Sequence, residues 1–124
     1  MREIKFKAWV KELNEIREVE YINFLKKMIS YPNKFCKEYY LNADFDEIEL
    51  MQYTGLKDEY GDEIYEGDIV ILHNSRYKVI FNMEQARFVL RDDKFEMEIP
   101  FTNNNNERMK IIGNIYENPE LIED

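Results

Sequence analysis

Apolar and polar residues alternate from Ile4 to Trp9, with Ile4, Phe6 and Ala8 on one side and Lys5, Lys7 and Trp9 on the other. A period of two marks a β-strand, whose successive side chains point to opposite faces of a sheet. Trp9 on the polar side implies that this face is also covered at its end. Residues 12–29 follow a different rule. Ile16, Val19, Ile22, Leu25, Met28 and Ile29 recur at helical spacing, with Glu, Lys and Arg between them. No Gly or Pro interrupts, and Asn14 stands where a helix cap belongs. Val19, Tyr21, Ile22 and Phe24 are nevertheless good strand formers. The spacing favours a helix here, with strands as the competing reading.

Pro32 and Asn33 impose a break after Tyr31, because proline disfavours helical geometry in the residue before it. Residues 34–43 hold Phe35, Tyr39, Tyr40 and Leu41 with poor periodicity. Phe45, Ile48, Leu50 and Tyr53 lead into residues 50–70, LMQYTGLKDEYGDEIYEGDIV, which read as two apolar strands joined by a glycine-closed turn. Asp58 can accept a hydrogen bond from backbone further on, and Gly61 can take the left-handed conformation that ends such a loop. Gly67-Asp68 forms a second bend, where the carboxylate can tie back to backbone N–H groups. Ile69 to Leu72 is a continuous apolar run, as in a strand buried on both faces.

Residues 73–76 read as a turn and 77–81 as a strand. Arg87 to Leu90, a turn at Asp92-Asp93, and Phe95, Met97 and Ile99 predict another hairpin. Pro100 ends that strand or marks an edge. Asn103 to Asn106 read as an exposed loop, and 109–112 as a last strand. Gly55, Gly61, Gly67, Asp68 and Gly113 are the expected turn positions. The fold class is therefore mainly β, at most a β-rich α+β. Antiparallel strands would form a small barrel, SH3-like or a sandwich, with a helix or hairpin at 12–29.

At 124 residues, 44% hydrophobic and 15% aromatic, the chain suits one domain with a real core. A net charge of −9 argues against general nucleic-acid binding, which draws on clustered Lys and Arg. A single cysteine, Cys36, excludes an internal disulfide framework and a thiol pair for zinc. The N-terminus lacks a signal-peptide core, and no apolar run approaches the length of a membrane span. A cytoplasmic location is expected.

Three blocks, IKFKAW at 4–9, the 50–70 segment and IIGNIYENPEL at 111–121, together resemble the YopX family of phage and prophage proteins. The order and spacing of the blocks carry the resemblance along essentially the whole chain. It implies a β-rich fold, an origin in phage or prophage genomes of bacteria, and no established activity, hence no catalytic residues to carry over. Val10 departs from the family, which often places Asp there. The resemblance also implies strand, short charged turn and strand over 12–29, with the turn near Leu25-Lys26-Lys27. That reverses the propensity reading, with a helix as the alternative.

Candidate chemistry is sparse. A nucleophile–base pair would need Cys36, Ser30 or Ser75 with His73, the only histidine, and no motif surrounds them. Asp58, Asp62, Glu63, Glu66 and Asp68 cluster in sequence but match no calcium loop. No glycine lies in a phosphate-binding pattern. The expectation is a non-enzymatic interaction module with no cofactor or metal. Its candidate surface is Tyr53, Tyr60, Tyr65 and Tyr116 with Asp58, Glu59, Asp62 and Glu63. The expected partner is a phage or host protein, with self-association through a β edge. Direct nucleic-acid binding is not expected. The alternative is nucleic-acid binding through Lys5, Lys7, Lys26, Lys27 and Lys34, or nucleic-acid mimicry by the carboxylates.

Overall fold

The computed structural model describes residues 2–102 and 108–123, so the loop expected at 103–106 lies outside the described residues. Its strands are β1 (Phe6–Val10), β2 (Glu15–Glu18), β3 (Tyr21–Asn23), β4 (Met28–Pro32), β5 (Tyr40–Asp44), β6 (Ile48–Lys57), β7 (Glu63–Tyr65), β8 (Asp68–Leu72), β9 (Ser75–Asn82), β10 (Arg87–Asp92), β11 (Met97–Pro100) and β12 (Lys110–Asn114). Two short 3-10 turns, Phe45–Glu47 and Pro119–Leu121, complete the described elements. The fold is mostly antiparallel β, with one sheet curled into a half-barrel. No helix among the described residues is long and apolar enough to cross a membrane.

The chain divides into two compact units, Ile4–Gln52 and Tyr53–Asp124 with Met1–Glu3. β6 contributes to both: its first half pairs with β1, Ala8 opposite Leu50, and its second half pairs with β7, Tyr53 opposite Tyr65.

In the unit Ile4–Gln52, β1 pairs with β2, and β3, β4 and β5 form a three-stranded sheet. The helical reading of 12–29 fails and the hairpin stands, with its turn at 24–27 between β3 and β4. Local spacing lost because pairing buries Ile29, Tyr31 and Ala43, with Ile22 partly buried beside them, on one sheet face, a period-two solution that a helix cannot reproduce. These residues join Ala8, Val10 and Ile48 in a core flanked by Val19, Phe45 and Leu50.

In the other unit, five strands run in the order β11-β10-β9-β8-β12. β8 lies between β9 and β12, and Ile69, Val70 and Leu72 are buried as a continuous apolar run demands. Val70 and Leu72 pack with Ile64, Tyr77, Val79, Leu90 and Met109. β8 and β9 are joined by His73 and Asn74 alone, with φ of 51° and 66°. Two central residues with positive φ define the tight hairpin turn whose twist matches paired strands. Among the described residues β11 pairs only with β10, and it ends at Pro100, as expected of an edge strand.

Four hairpin loops, at 11–14, 24–27, 83–86 and 93–96, each end on a residue with positive φ: Asn14, Lys27, Ala86 and Glu96. Asn23 and Asn82 brace two of them, each side-chain oxygen accepting a backbone N–H three residues on, at 3.0 Å.

Candidate interaction surface

The 50–70 segment is built around one buried carboxylate. Asp58 is 7% exposed, and its Oδ1 accepts the backbone N–H groups of Tyr60 and Asp62, each at 2.9 Å. Its Oδ2 accepts the N–H of Ile111 on β12 at 3.2 Å. The Asp58 N–H donates to the Asp62 carbonyl, and Glu59 N–H donates to the Met109 carbonyl. Gly61, with φ 85°, closes the loop as expected. Asp68 Oδ2 accepts the Tyr65 N–H at 2.8 Å, and Gly67, φ 92°, bends the chain between them. That bend takes Asp68–Val70 out of register with β6. Pairing with β6 stops at Tyr65, and the next strand joins β9 and β12, whereas the sequence had extended one hairpin through Val70.

This geometry corrects the expected contact surface. Tyr53 and Tyr65 are 6% and 4% exposed and stack side by side, ring centroids 5.5 Å apart, because they occupy opposite positions on paired strands. With Asp58, they belong to the interior. Glu63 and Tyr116 are half-buried, and Glu63 accepts a hydrogen bond from the Tyr65 hydroxyl. Only Glu59, Tyr60 and Asp62 of that set are exposed. Tyr60 lies under Lys110 Nζ at 5.8 Å, and its hydrogen bond to Glu59 pushes the phenol above its ordinary value.

Two of the expected turn glycines play other roles. Gly55 sits inside β6 at an irregularity between Tyr53 and Lys57, where φ of 91° bends the strand. Gly113 sits inside β12, and a Cβ there would meet Asn118 Oδ1 at 2.6 Å and Leu121 Cδ1 at 3.0 Å. Close approach rather than a turn requires it.

The candidate nucleophiles and base are engaged as ordinary structure. His73 is exposed in its two-residue turn, and Ser30 Oγ donates to Asn42 Oδ1 at 2.6 Å. Cys36 is half-buried in the loop after β4, its N–H held by Asn33 Oδ1. Asp44, Asp46 and Glu47 bring their oxygens within 4.8 Å of one another, the kind of grouping a cation could use. Asp44 and Glu47, however, form the reciprocal cap of the first 3-10 turn, Glu47 Oε1 accepting the Asp44 N–H at 2.9 Å. A groove of about 270 Å³ near β9 and β10 is lined by Arg76, Lys78, Arg91 and Asp93. Lys78 and Arg91 both bind the Asp93 carboxylate and hold it below the usual carboxylate range.

Exposed apolar surface concentrates instead on the three-stranded sheet. Register places Tyr21, Ser30 and Asn42 side by side, with Tyr40 opposite Pro32, on the face away from Ile29 and Ala43. Tyr21 and Tyr40 meet edge to face at 5.4 Å. At the β3–β4 tip, Phe24 is 68% and Leu25 97% exposed, and Phe24 packs edge-on against Phe45 at 6.4 Å. Tyr21, Phe24, Leu25, Met28 and Asn42 line an open groove of about 740 Å³. At the other end of β4, Phe35 is 95% exposed and Tyr39 is also exposed. Monomeric proteins seldom leave so many large apolar side chains together in water. The sequence reading missed this face. A signal was present: a hairpin turn near Leu25 necessarily puts Phe24 and Leu25 at a solvent-facing tip.

Protein EF1440 from Enterococcus faecalis, a solved structure, is similar over 99% of this chain and 100% of its own, with a TM-score of 0.73 and 24% identity. The solved YopX from Bacillus subtilis is similar over 100% of this chain and 98% of its own, with a TM-score of 0.61 and 16% identity. Both likenesses concern the fold. No curated protein matches the chain. The family model described as YopX protein matches residues 5–123, and the chain belongs to the YopX family.

Proposed function

We propose that this protein is a phage- or prophage-encoded interaction module that acts in the bacterial cytoplasm by contacting another protein, without catalysis of its own. The observation that carries this reading is the exposed face around Tyr21, Phe24, Leu25 and Tyr40. Aromatic side chains supply large contact area at low entropic cost, and they are enriched in protein interfaces. The family resemblance supports the phage origin.

The test is a pull-down from the bacterial host with the full chain and with Leu25→Glu. The reading expects a specific protein that the native chain retains and Leu25→Glu loses. Equal recovery by both chains, or capture of nucleic acid that fades steeply with salt, contradicts it.

A further inference from the structure

We infer that the groove beside β9 and β10 binds a nucleoside monophosphate, with the phosphate on Arg76, Lys78 and Arg91 and the base against Phe95. This site is separate from the protein contact proposed above.

Register brings the cations together. Tyr77, Val79 and Leu90 are buried, so strand alternation places Arg76, Lys78 and Arg91 on the opposite face of β9 and β10. Lys78 and Arg91 are direct cross-strand partners. Like charges in that position repel one another, and an anion between them removes the cost. Asp93 supplies one such group, accepting from Lys78 and, at 2.7 Å, from Arg91 Nε. Lys94 lines the same groove. The unit Tyr53–Asp124 with Met1–Glu3 holds nine Lys and Arg against seventeen Asp and Glu, and four of those nine line this one groove. Positive potential is thereby concentrated in a single concavity of an acidic unit.

Hydrogen-bonding capacity is left over there. An ammonium carries three donors and a guanidinium five. Among the described residues, Lys78 binds Asp93, and Arg91 gives one bond to Asp93 and one to Glu98. Arg76 pairs with no carboxylate among the described residues. Its Nη1 donates to the neutral Leu121 carbonyl at 3.0 Å, which positions the guanidinium and leaves its charge uncompensated. Asp92 is turned to its own loop, where it accepts the Lys94 N–H at 3.0 Å. A phosphate accepts several charge-assisted bonds at once, so it can use the remaining donors without displacing Asp93.

Phe95 decides the class of phosphate. Its ring is 66% exposed and lines the groove with the cations. An open aromatic face beside a phosphate-binding cluster is what a base needs in order to stack. At about 270 Å³ the groove suits one small molecule rather than a strand, in keeping with a net charge of −9 that opposes binding of a polymer.

Isothermal titration calorimetry on the full chain tests this with the monophosphates of adenosine, guanosine, cytidine and uridine, beside ribose phosphate and inorganic phosphate, at constant ionic strength. At least one nucleotide binds, about fivefold or more tighter than ribose phosphate, because only the nucleotide stacks. Arg76→Gln, which keeps a side-chain donor and removes the charge, weakens that nucleotide by about tenfold or more. Phe95→Ala brings the nucleotide down to the affinity of ribose phosphate and leaves ribose phosphate itself unchanged. Both side chains are exposed, and unchanged thermal melts show that the variants are folded. No binding by any of the four nucleotides, a nucleotide no tighter than ribose phosphate or inorganic phosphate, or native affinity after either substitution overturns the inference.

Discussion

The carboxylate of Asp58 accepts the backbone N–H of Ile111 across fifty-three residues of sequence, at 3.2 Å. A turn between β6 and β7 is thereby fastened to β12, the strand that flanks β8. Two more backbone donors, from Tyr60 and Asp62, converge on the same side chain. Removing a buried acceptor strands its donors, and each stranded donor costs about 1–3 kcal/mol before relaxation. Asp58→Ala is therefore expected to lower stability by about 2–4 kcal/mol, read by urea denaturation. Asp58→Asn keeps one acceptor and loses the other, so it falls between Ala and the native chain. A loss below about 0.5 kcal/mol for Asp58→Ala would show that water replaces the carboxylate.

Gly113 tests a different constraint. Its conformation suits any residue, but a methyl group there meets Asn118 Oδ1 at 2.6 Å. That oxygen cannot simply swing aside, because it accepts the Asn114 N–H at 3.2 Å. Gly113→Ala is expected to cost about 1–3 kcal/mol through overpacking. Combining it with Asn118→Ala should cost less than the two separate losses together, since the clash is gone. Strict additivity in the double-mutant cycle would place the glycine's requirement elsewhere.

These two residues show what could be read in the sequence and what could not. Asp58 followed by Gly61 is turn chemistry, so the loop and its capping carboxylate were legible. The partner on β12 was not, because no local rule links positions 58 and 111. Gly113 looked like punctuation, since spacing cannot distinguish a turn glycine from one required by a neighbour's close approach. Strand alternation was legible at Phe6–Trp9 and at Met97–Ile99, while Phe95 and Glu96, read as strand, belong to the loop before it. It misled at 12–29, where tertiary pairing overrode helical spacing. Turns near Leu25 and Asp92-Asp93 were expected, but the positive φ at Lys27, Ala86 and Glu96 was not legible, because none of these residues prefers that conformation.

That last point is testable. Glu96, with φ 50°, closes the β10–β11 loop on the solvent side. Glycine takes this conformation without the Cβ penalty, at the cost of a freer unfolded chain. Glu96→Gly is expected to raise stability by about 0.5–1 kcal/mol, seen as a higher midpoint in urea. A lower midpoint would mean that the side chain contributes more than the conformation costs.

Tyr40 supplies a pH signature for the three-stranded sheet. Its hydroxyl bonds to Glu20, and this raises the phenol from 10.0 to about 12. Below pH 10 the phenol is protonated in folded and unfolded chains alike, and the bond contributes fully. Between 10 and about 12 the unfolded chain ionises first, so that contribution falls as pH rises and is gone above 12. The ultraviolet difference titration between native chain and Tyr40→Phe should show a component near pH 12, and Glu20→Ala should return it towards 10. A Tyr40 component near 10 in the native chain would mean that the bond does not persist in solution.

Asp58, in the 50–70 segment, stabilises the fold, whereas the proposed contact face lies around Leu25. Melting and partner capture, measured in parallel on Asp58→Asn and Leu25→Glu, separate the two. Asp58→Asn should melt lower and still capture its partner at temperatures where it is folded. Leu25→Glu, whose side chain lies in solvent, should melt like the native chain and capture nothing. The reverse pattern, with native stability in Asp58→Asn and full capture by Leu25→Glu, would contradict this assignment.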